Sequence, residues 1–296
     1  KIDKIQKMKK TINLIAPAKL NLNLFVTQKL NNNYHFLKSD ICFLNLCDEI
    51  LMKKSEHNKI EINPNSYFAL KRDTLLFKTL ELFNSKFRTN NKFKIILTKN
   101  IPIGAGLGGG SSDSAALLLG LRYFYNRSSK NRVTINDLKK IGFQIGSDVP
   151  ACITSSSLQL NSVGNKFKKI RIPQNYKFLI IYPNKKLSTK SVFEKFDLKK
   201  IEKNPSQYFN QFTIFNSLKC TAEKIEPEIK EICNTLKSFD KIIAYGMSGT
   251  GSACFGIFKN TKDFLTDKEF KNITSKKNYF IWHGNKKEFG YNRIIY

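Results

Sequence analysis

Residues 101–117 read IPIGAGLGGGSSDSAAL, and five glycines fall within the seven positions from Gly104 to Gly110. The residues that follow have the polar start and the apolar run of a helix. Glycines allow backbone N–H groups to approach a ligand closely, and a helix N-terminus adds unpaired N–H donors and a positive dipole end. The stretch therefore predicts a phosphate-binding loop, with hydroxyls from Ser111 and Ser112. The plainer alternative is a flexible connector before a capped helix.

Three known glycine-rich loops do not fit this stretch. The dinucleotide-binding loop follows a strand directly and needs a carboxylate about 20 residues later, but LTKNIP intervenes here and residues 122–131 contain no carboxylate. Gly110 stands where a Walker A loop requires lysine. The loop of protein kinases lies in a hairpin, whereas this one leads into a helix. Asp113, in the first helical turn, would repel a phosphate, so we expect it to point away or toward a cation.

Two further stretches carry polar side chains that could face a cleft. In PAKLNLNL, residues 17–24, the leucines alternate with Lys19, Asn21 and Asn23. This alternation predicts a strand whose polar face meets either solvent or a polar cleft. In GSDVP, residues 146–150, Asp148 follows the end of a predicted helix and precedes an apolar run. A partly buried aspartate needs a partner, for which Lys19 is a candidate, although a simple turn-forming aspartate fits as well.

A second glycine-rich stretch, GMSGTGSA at residues 246–253, lies between two predicted strands. Strand, glycine turn and strand predict a hairpin that could close over a ligand.

The composition sets the broad class. The 296 residues, 41% of them hydrophobic, suffice for a two-lobed protein, and no apolar run is long enough to span a membrane. The formal charge of +28 comes mostly from lysines spread along the chain, so we predict no dedicated nucleic-acid binding. The six cysteines form no C-x-x-C motif and indicate reduced core thiols. The histidines have no ligand-spaced partners, so we expect no protein metal site.

The chain predicts an α+β fold, because strands and helices mix without a strict βαβ alternation. The predicted strands lie near 11–27, 41–53, 93–98, 158–172, 177–183, 241–245, 252–258 and 278–283. The predicted helices lie near 112–125, 135–144, 188–203, 216–237 and 261–271. A boundary near 155–175 divides the chain into lobes at 1–162 and 163–296.

The three motifs PAKLNLNL, PIGAGLGGGSSDSAA and GMSGTGSACFGIF stand in this order, and together they resemble the GHMP small-molecule kinases. The resemblance covers essentially all of residues 10–296. It implies a two-lobed fold with an N-terminal lobe like ribosomal protein S5, an α+β C-terminal lobe, and an active site in the cleft between them. Tyr34-His35, GSDVP and the length narrow it to the branch that phosphorylates a cytidine diphosphate derivative in non-mevalonate isoprenoid synthesis.

The resemblance implies a role for each matching residue. ATP, accompanied by Mg²⁺, would bind the loop of Pro102, Ile103, Gly104, Ala105, Gly106, Leu107, Gly108, Gly109, Gly110, Ser111 and Ser112. Asp148 would accept the proton of the substrate hydroxyl, and Lys19 would keep Asp148 ionised. The substrate-binding residues would be Asn21, Tyr34, His35, Thr189, Phe193, Gly249, Thr250 and Gly251.

Three positions depart from the family pattern. Asn33 replaces the glycine that usually precedes Tyr34, and Asn216-Ser217 stands where the family often has Asn-Asp. The basic stretch NRSSKNRVT, residues 126–134, has no role that its sequence indicates.

The partner expected from this resemblance is a small-molecule substrate, with no membrane; the oligomeric state stays open. The expected location is a bacterial-type cytoplasm, with a plastid-type organelle as the alternative. Two rival functions remain at this point, namely another kinase of the same superfamily and a nucleic-acid-binding module without catalysis.

Overall fold

The computed structural model describes residues 10–29, 35–68, 74–162, 166–200, 207–276 and 278–295. The strands are β1 (Thr11–Asn21), β2 (Asn23–Lys29), β3 (His35–Lys54), β4 (Lys59–Ile62), β5 (Phe93–Thr98), β6 (Leu158–Ser162), β7 (Lys166–Lys169), β8 (Lys177–Tyr182), β9 (Gln207–Phe209), β10 (Phe212–Asn216), β11 (Ala244–Met247), β12 (Cys254–Phe258), β13 (Phe280–Asn285) and β14 (Ile294–Ile295). The helices are α1 (Thr74–Phe87), α2 (Gly109–Ser128), α3 (Ile135–Ile145), α4 (Val149–Thr154), α5 (Thr189–Lys195), α6 (Lys219–Ile225), α7 (Glu228–Lys237), α8 (Lys262–Leu265) and α9 (Lys268–Lys276).

The long strand β3 organises the first sheet. It pairs with β1, β2, β5 and β6, and the sheet extends to β4, β7 and β14. Strand β10 adds to the free side of β2 in parallel, with Phe215 opposite Asn23, and β9 follows β10. Four strands that follow residue 162, namely β7, β9, β10 and β14, thus belong to this sheet. The division into lobes at residue 162 stays a prediction.

Helices α1 to α4 cover one face of the first sheet. Leu14 and Met52 of the sheet pack there against Leu118 of α2 and Ile153 of α4. Gly120 of α2 allows a close approach, because a Cβ atom at this position would lie 2.7 Å from Leu14 Cδ1. This packing fixes the direction of α2, whose first turn carries the glycine-rich loop.

The second sheet has the order β11-β12-β8-β13. One face, with Phe178, Ile180 and Phe255, packs against Leu20 and Leu22 of the first sheet. The alternate residues, such as Leu179 and Ile181, pack against helices α6 and α7. Successive side chains of β8 therefore point to opposite faces of the sheet, and both sets are buried, as expected for a sheet covered on both sides.

The α+β class and the hairpin of β11 and β12 are confirmed, with Met247 opposite Cys254. The predicted helix near 135–144 is confirmed as α3, and its Thr134 and Asp137 form a reciprocal capping box.

Several predicted boundaries are wrong for identifiable reasons. The strand at 11–27 is two strands, since the chain departs from regular pairing at Leu22, whose N–H donates to Asp40 O at 2.8 Å. The helix at 216–237 begins as strand β10 and is then interrupted at Pro227, which has no N–H and keeps Glu226 extended.

Other predicted elements are shorter or divided. The strand at 158–172 is divided into β6 and β7, and the helix at 188–203 ends at Lys195, where Phe196 is extended. The helix at 261–271 is divided into α8 and α9, and Asp267 accepts the N–H of Glu269 at the start of α9. The elements β4, α1, α4, β9 and β14 were not among the predicted ones.

Candidate active site

The glycine-rich loop has the backbone that its sequence requires. Gly104, Gly106 and Gly108 have φ values of 71°, 79° and 67°, in the left-handed region that favours glycine. A Cβ atom on Gly106 would lie 2.3 Å from Ser248 O, so this position also has no space for a side chain. Gly108 is the N-cap of α2, and the helix begins at Gly109, three residues before the predicted start. The unpaired N–H groups of the first turn therefore belong to the glycines themselves.

Lys19 and Asp148 meet at the mouth of this loop. Lys19 Nζ lies 2.8 Å from Asp148 Oδ2, which confirms the predicted pairing. Asp148 precedes α4 and caps it without a side-chain hydrogen bond, so its carboxylate is directed to Lys19 instead. The Lys19 side chain is 5% exposed and that of Asp148 is 35% exposed. The carboxylate is therefore the member of the pair that a ligand can reach.

The polar side chains of β1 and β2 face the protein interior. Lys19, Asn21 and Asn23 are all buried, so the solvent-face alternative is wrong. Asn21 donates from Nδ2 to Ser39 Oγ at 2.7 Å, and its Oδ1 atom is buried with no hydrogen-bond partner in the described part of the chain. Asn21 is among the residues that line the cavity described below, although this oxygen itself is closed to solvent. Asn23 instead donates to Asp40 and has a structural role.

Ser248, in the β11–β12 hairpin, joins the two glycine-rich stretches. Its Oγ atom accepts the Asn21 N–H at 3.1 Å and donates to Gly106 O at 3.0 Å. Next to it, Ala253 N donates to Ala105 O at 3.0 Å. The hairpin is therefore fixed directly against the predicted phosphate loop. No feature of the sequence distinguishes Ser248 from its neighbours, and it was not predicted as a site residue.

Behind the loop lies a buried ion cluster that was not predicted. Lys99 Nζ contacts a carboxylate oxygen of Asp48 and lies 2.7 Å from Asp113 Oδ2. Asp48 also accepts the N–H groups of Asn100 and Ile101 at 2.6 and 2.8 Å. Burial lowers the pKa of Lys99, but the two carboxylates more than offset this and raise the pKa above its ordinary value. Asp113 thus turns to the Lys99 side chain, a partner that was not predicted, and not to a bound cation.

Two pairs of the predicted substrate-binding residues are in contact. The rings of His35 and Phe193 stack with centroids 4.8 Å apart, and Phe196 meets His35 edge-on at 6.1 Å. Thr189 Oγ1 lies 3.2 Å from Thr250 Oγ1 of the closing hairpin. Tyr34 and Asn33 lie outside the described residues. Phe196 was not predicted, although its spacing of three from Phe193 on a helix indicated a shared face.

Most of the predicted site residues line one cavity of about 540 Å³. They are Lys19, Asn21, Pro102, Ile103, Gly104, Ala105, Gly106, Leu107, Gly108, Gly109, Gly110, Ser111, Asp148, Thr189, Phe193, Gly249 and Thr250. Three described residues of the predicted set do not line it: Ser112 is fully buried inside α2, Gly251 packs against Met247 and Leu187, and His35 stacks on Phe193.

The departure at Asn216-Ser217 has a structural explanation. Asn216 Nδ2 donates to Met247 O at 2.9 Å and to Gly249 O at 2.8 Å, and thereby holds the closing hairpin. Ser217 Oγ accepts the N–H of Val26 at 3.0 Å, which ties this turn to β2. This position therefore supports the backbone of the site and needs no acid to do so.

Comparisons with known proteins agree with this architecture. The chain matches the family models of the GHMP kinase N-terminal domain over residues 74–156 and of the GHMP kinase C-terminal domain over residues 194–268. A solved 4-(cytidine 5'-diphospho)-2C-methyl-D-erythritol kinase superimposes with a TM-score of 0.74 at 24% identity, covering 92% of this chain and 98% of that one. A homoserine kinase from Cytophaga hutchinsonii superimposes with a TM-score of 0.68 at 15% identity, covering 99% of this chain and 100% of that one.

The chain belongs to the GHMP kinase family, and this membership implies a phosphotransferase that uses ATP. Its relatives carry a narrower name. The 4-diphosphocytidyl-2-C-methyl-D-erythritol kinase of Clostridioides difficile is 31% identical over 271 residues, covering 87% of this chain and 90% of that protein. The kinase of the same name from Pseudoalteromonas translucida is 31% identical over 245 residues, covering 83% of this chain and 84% of that protein.

In the described part of the chain, no helix is both long and apolar enough to cross a bilayer.

Proposed function

We propose that the protein transfers the γ-phosphoryl group of ATP to the 2-hydroxyl of 4-diphosphocytidyl-2-C-methyl-D-erythritol, a step of non-mevalonate isoprenoid precursor synthesis. The observation that carries this proposal is the Lys19–Asp148 pair, 2.8 Å apart, at the mouth of the glycine-rich loop and in one cavity with Phe193. The names of the relatives supply the acceptor.

The loop would hold the triphosphate through its backbone. The N–H groups of Gly109 and Gly110 begin α2, so they have no partner within the helix and lie at the positive end of its dipole. Phosphoryl transfer depends on positioning and charge neutralisation more than on covalent chemistry. Fixed donors in a protected cleft supply both without reorganising during the reaction.

Asp148 would receive the acceptor hydroxyl. Its carboxylate is partly exposed and held by Lys19, so a hydroxyl approaching the cavity can donate to the oxygen that remains. The neighbouring Lys19 ammonium would attract the transferring phosphoryl group. Asn21, which lines the same cavity, would help to position the acceptor.

The cytosine base would bind at Phe193. His35 now covers that ring at 4.8 Å, whereas a base between the two rings needs a separation of about 7 Å, two contacts of about 3.5 Å. We therefore expect the base to take the place of the imidazole on Phe193 and the imidazole to move to a hydrogen-bonding position at the edge of the base. Tyr34 would complete the stack, and Gly249, Thr250 and Gly251 would close over the substrate phosphates.

Mg²⁺ would arrive with ATP. The described residues hold no cluster of three or more His, Cys, Asp or Glu that could form a metal site. Ser111 and Ser147 line the cavity and could offer hydroxyl oxygens to Mg²⁺, which would complete its shell with phosphates and water. When bound, the ion would neutralise charge on the phosphates.

We place the reaction in a bacterial-type cytoplasm, because the organisms of the relatives are bacteria. The proposed partner is the small-molecule substrate alone, without a membrane and without dedicated nucleic-acid binding at this cleft.

The proposal is tested by assaying purified protein with ATP and 4-diphosphocytidyl-2-C-methyl-D-erythritol, beside homoserine, mevalonate and galactose. We expect turnover of the cytidine substrate only, and its loss in Asp148→Asn. Turnover of another alcohol would preserve the fold and the Lys19–Asp148 chemistry but overturn the base-binding site at Phe193. Binding of ATP without turnover of any acceptor would support the phosphate-binding role of the loop and contradict the proposed acceptor.

A further inference from the structure

A second cavity, of about 800 Å³, lies far from the active site. It is formed by the last turns of α2, the stretch that follows this helix, and the C-terminal segment that returns to the first sheet. Helix α2 is 20 residues long, so the glycine loop at its start and this cavity at its end are separated by roughly 30 Å. The cavity includes part of the basic stretch at 126–134 that the kinase function does not explain.

Three arginines, Arg122, Arg127 and Arg132, line this cavity, and none of the other described residues that line it is a carboxylate. The chain has 51 basic residues, of which only seven are arginines, so lysine is its usual cation. Nearly half of the arginines therefore lie within eleven positions and face one hollow. The general lysine-rich composition does not account for this cluster.

The guanidinium groups are held in place but not neutralised. Arg122 Nε donates to Val133 O at 2.9 Å, and Arg132 donates to Asn126 O. Arg127 lies over the ring of Tyr123 at 3.7 Å. In the described part of the chain, none of the three forms an ion pair. The bond of Arg132 caps a carbonyl group in the last turn of α2, that of Asn126. Most of the N–H donors of the three side chains therefore have no partner among the described residues and can bind a ligand.

We infer that this cavity is a binding site for an oligophosphate, meaning an anion with at least two linked phosphate groups, either inorganic or carried by a small organic molecule. Arginine presents a planar fork of donors that matches phosphate oxygens in pairs, which lysine cannot do. One phosphate carries at most about two negative charges at neutral pH, so three guanidinium groups suit linked phosphates better than a single one. The exposed ring of Tyr291, at the rim, offers a contact for an organic part.

The test measures the binding of inorganic triphosphate by titration calorimetry, with the number of sites as the main result. We expect two sites in the wild-type protein, one at the glycine loop and one here. Replacing all three arginines with glutamine should leave one site and keep kcat/KM for ATP within twofold, which also reports correct folding. Arg127→Lys alone, at an exposed position, should weaken the second site at least tenfold.

A matched control removes the same charge elsewhere, at the exposed residues Lys237, Lys259 and Lys271. The triple lysine-to-glutamine variant should retain both sites. One site in the wild-type protein, or equal weakening by both triple variants, would overturn the proposal, because the attraction would then be diffuse charge. Unchanged binding by Arg127→Lys, or equally tight binding of monophosphate, would overturn the paired recognition of linked phosphates. Tenfold tighter binding of a ten-nucleotide RNA, lost in the arginine variant, would make a nucleic-acid strand the occupant instead.

Discussion

Two lysine–aspartate groups flank the glycine loop, and they differ in what surrounds them. Lys19 approaches Gly108 and holds one carboxylate, Asp148, which is 35% exposed. Lys99 approaches the next glycine, Gly109, and holds two carboxylates that are almost completely buried. The same chemical pair is therefore open to a ligand in one place and closed to it in the other. The difference is whether a carboxylate oxygen still faces the cavity once the lysine has been paired.

The largest effect should come from Asp148→Asn. Removing the carboxylate that we propose receives the acceptor hydroxyl should lower kcat by about 10²- to 10⁴-fold, the usual contribution of a positioned base. The melting temperature should fall only modestly, because the amide oxygen of the new side chain can still accept a hydrogen bond from the buried Lys19 ammonium. Steady-state kinetics and thermal unfolding measure the two effects. Glu61→Gln, which removes a carboxylate from a surface ion pair, should change neither.

The other cluster should respond in the opposite way. Lys99→Met leaves two buried carboxylates without their cation, which should lower the free energy of unfolding by about 3–5 kcal/mol. Urea unfolding measures this loss. Lys53→Met, on an exposed position of β3, should stay within about 0.5 kcal/mol of the wild type. A stable Lys99→Met protein would mean that the cluster is not architectural.

The loop between the two lysines should tolerate no side chain at Gly106. Gly106→Ala requires a positive φ and places Cβ against Ser248 O, so kcat/KM for ATP should fall by more than about tenfold as the loop shifts. Gly146→Ala is the control, because the backbone there is extended and the added Cβ would meet nothing closer than 3.7 Å. Equal kinetics for the two variants would contradict the geometry of the loop.

A smaller effect is expected for Ser248→Ala. The substitution removes two hydrogen bonds that join the closing hairpin to Asn21 and Gly106, each contributing about 0.5–1.5 kcal/mol. We expect a several-fold fall in kcat/KM and a loss of about 1–2 kcal/mol in unfolding free energy. Ser238→Ala, at an exposed position, serves as the reference. Wild-type values for Ser248→Ala would show that the hairpin is held by its backbone alone.

The smallest effect concerns pH. The folded-state pKa of Lys99 is raised, so its contribution is fully present below the unfolded value of about 10.4 and is lost as the pH rises through the folded value. The difference in unfolding free energy between wild type and Lys99→Met should thus stay constant from pH 7 to about 9 and shrink above about pH 10. A difference that already shrinks near pH 8 would contradict the raised pKa.

The glycine-rich loop and Lys19 could be predicted from the sequence, because each lies in a local pattern of residue types. Five close glycines demand an unusual backbone, and the alternation of leucines with Lys19 and Asn21 defines a strand with a polar side. Lys99 and Asp48 are 51 positions apart and carry no local signal, so only the folded sheet reveals that they meet. The role of Ser248 could not be predicted for the same reason, since its hydrogen-bond partners lie 227 and 142 positions away in the sequence.

The elements that were placed wrongly also have a local cause. The predicted helix at 216–237 was based on the apolar pattern and did not take account of Pro227. The predicted strand at 11–27 did not take account of the hydrogen bond that Leu22 makes outside the regular ladder. Strand β10 is short and is stabilised by pairing with β2, a contact that periodicity cannot show.

The pairing of β2 with β10 also has a consequence during synthesis, because β2 is made long before the strand that pairs with it. Asn23 and Phe215 are 192 positions apart, so a ribosome adding about 5–20 residues per second would need roughly 10–40 s to supply the neighbour of β2. Until then, one side of β2 would present unpaired N–H and C=O groups to other chains. The nascent protein therefore passes through a period in which the strand beside its future active site is open to aggregation, and chaperone binding during that interval would protect it.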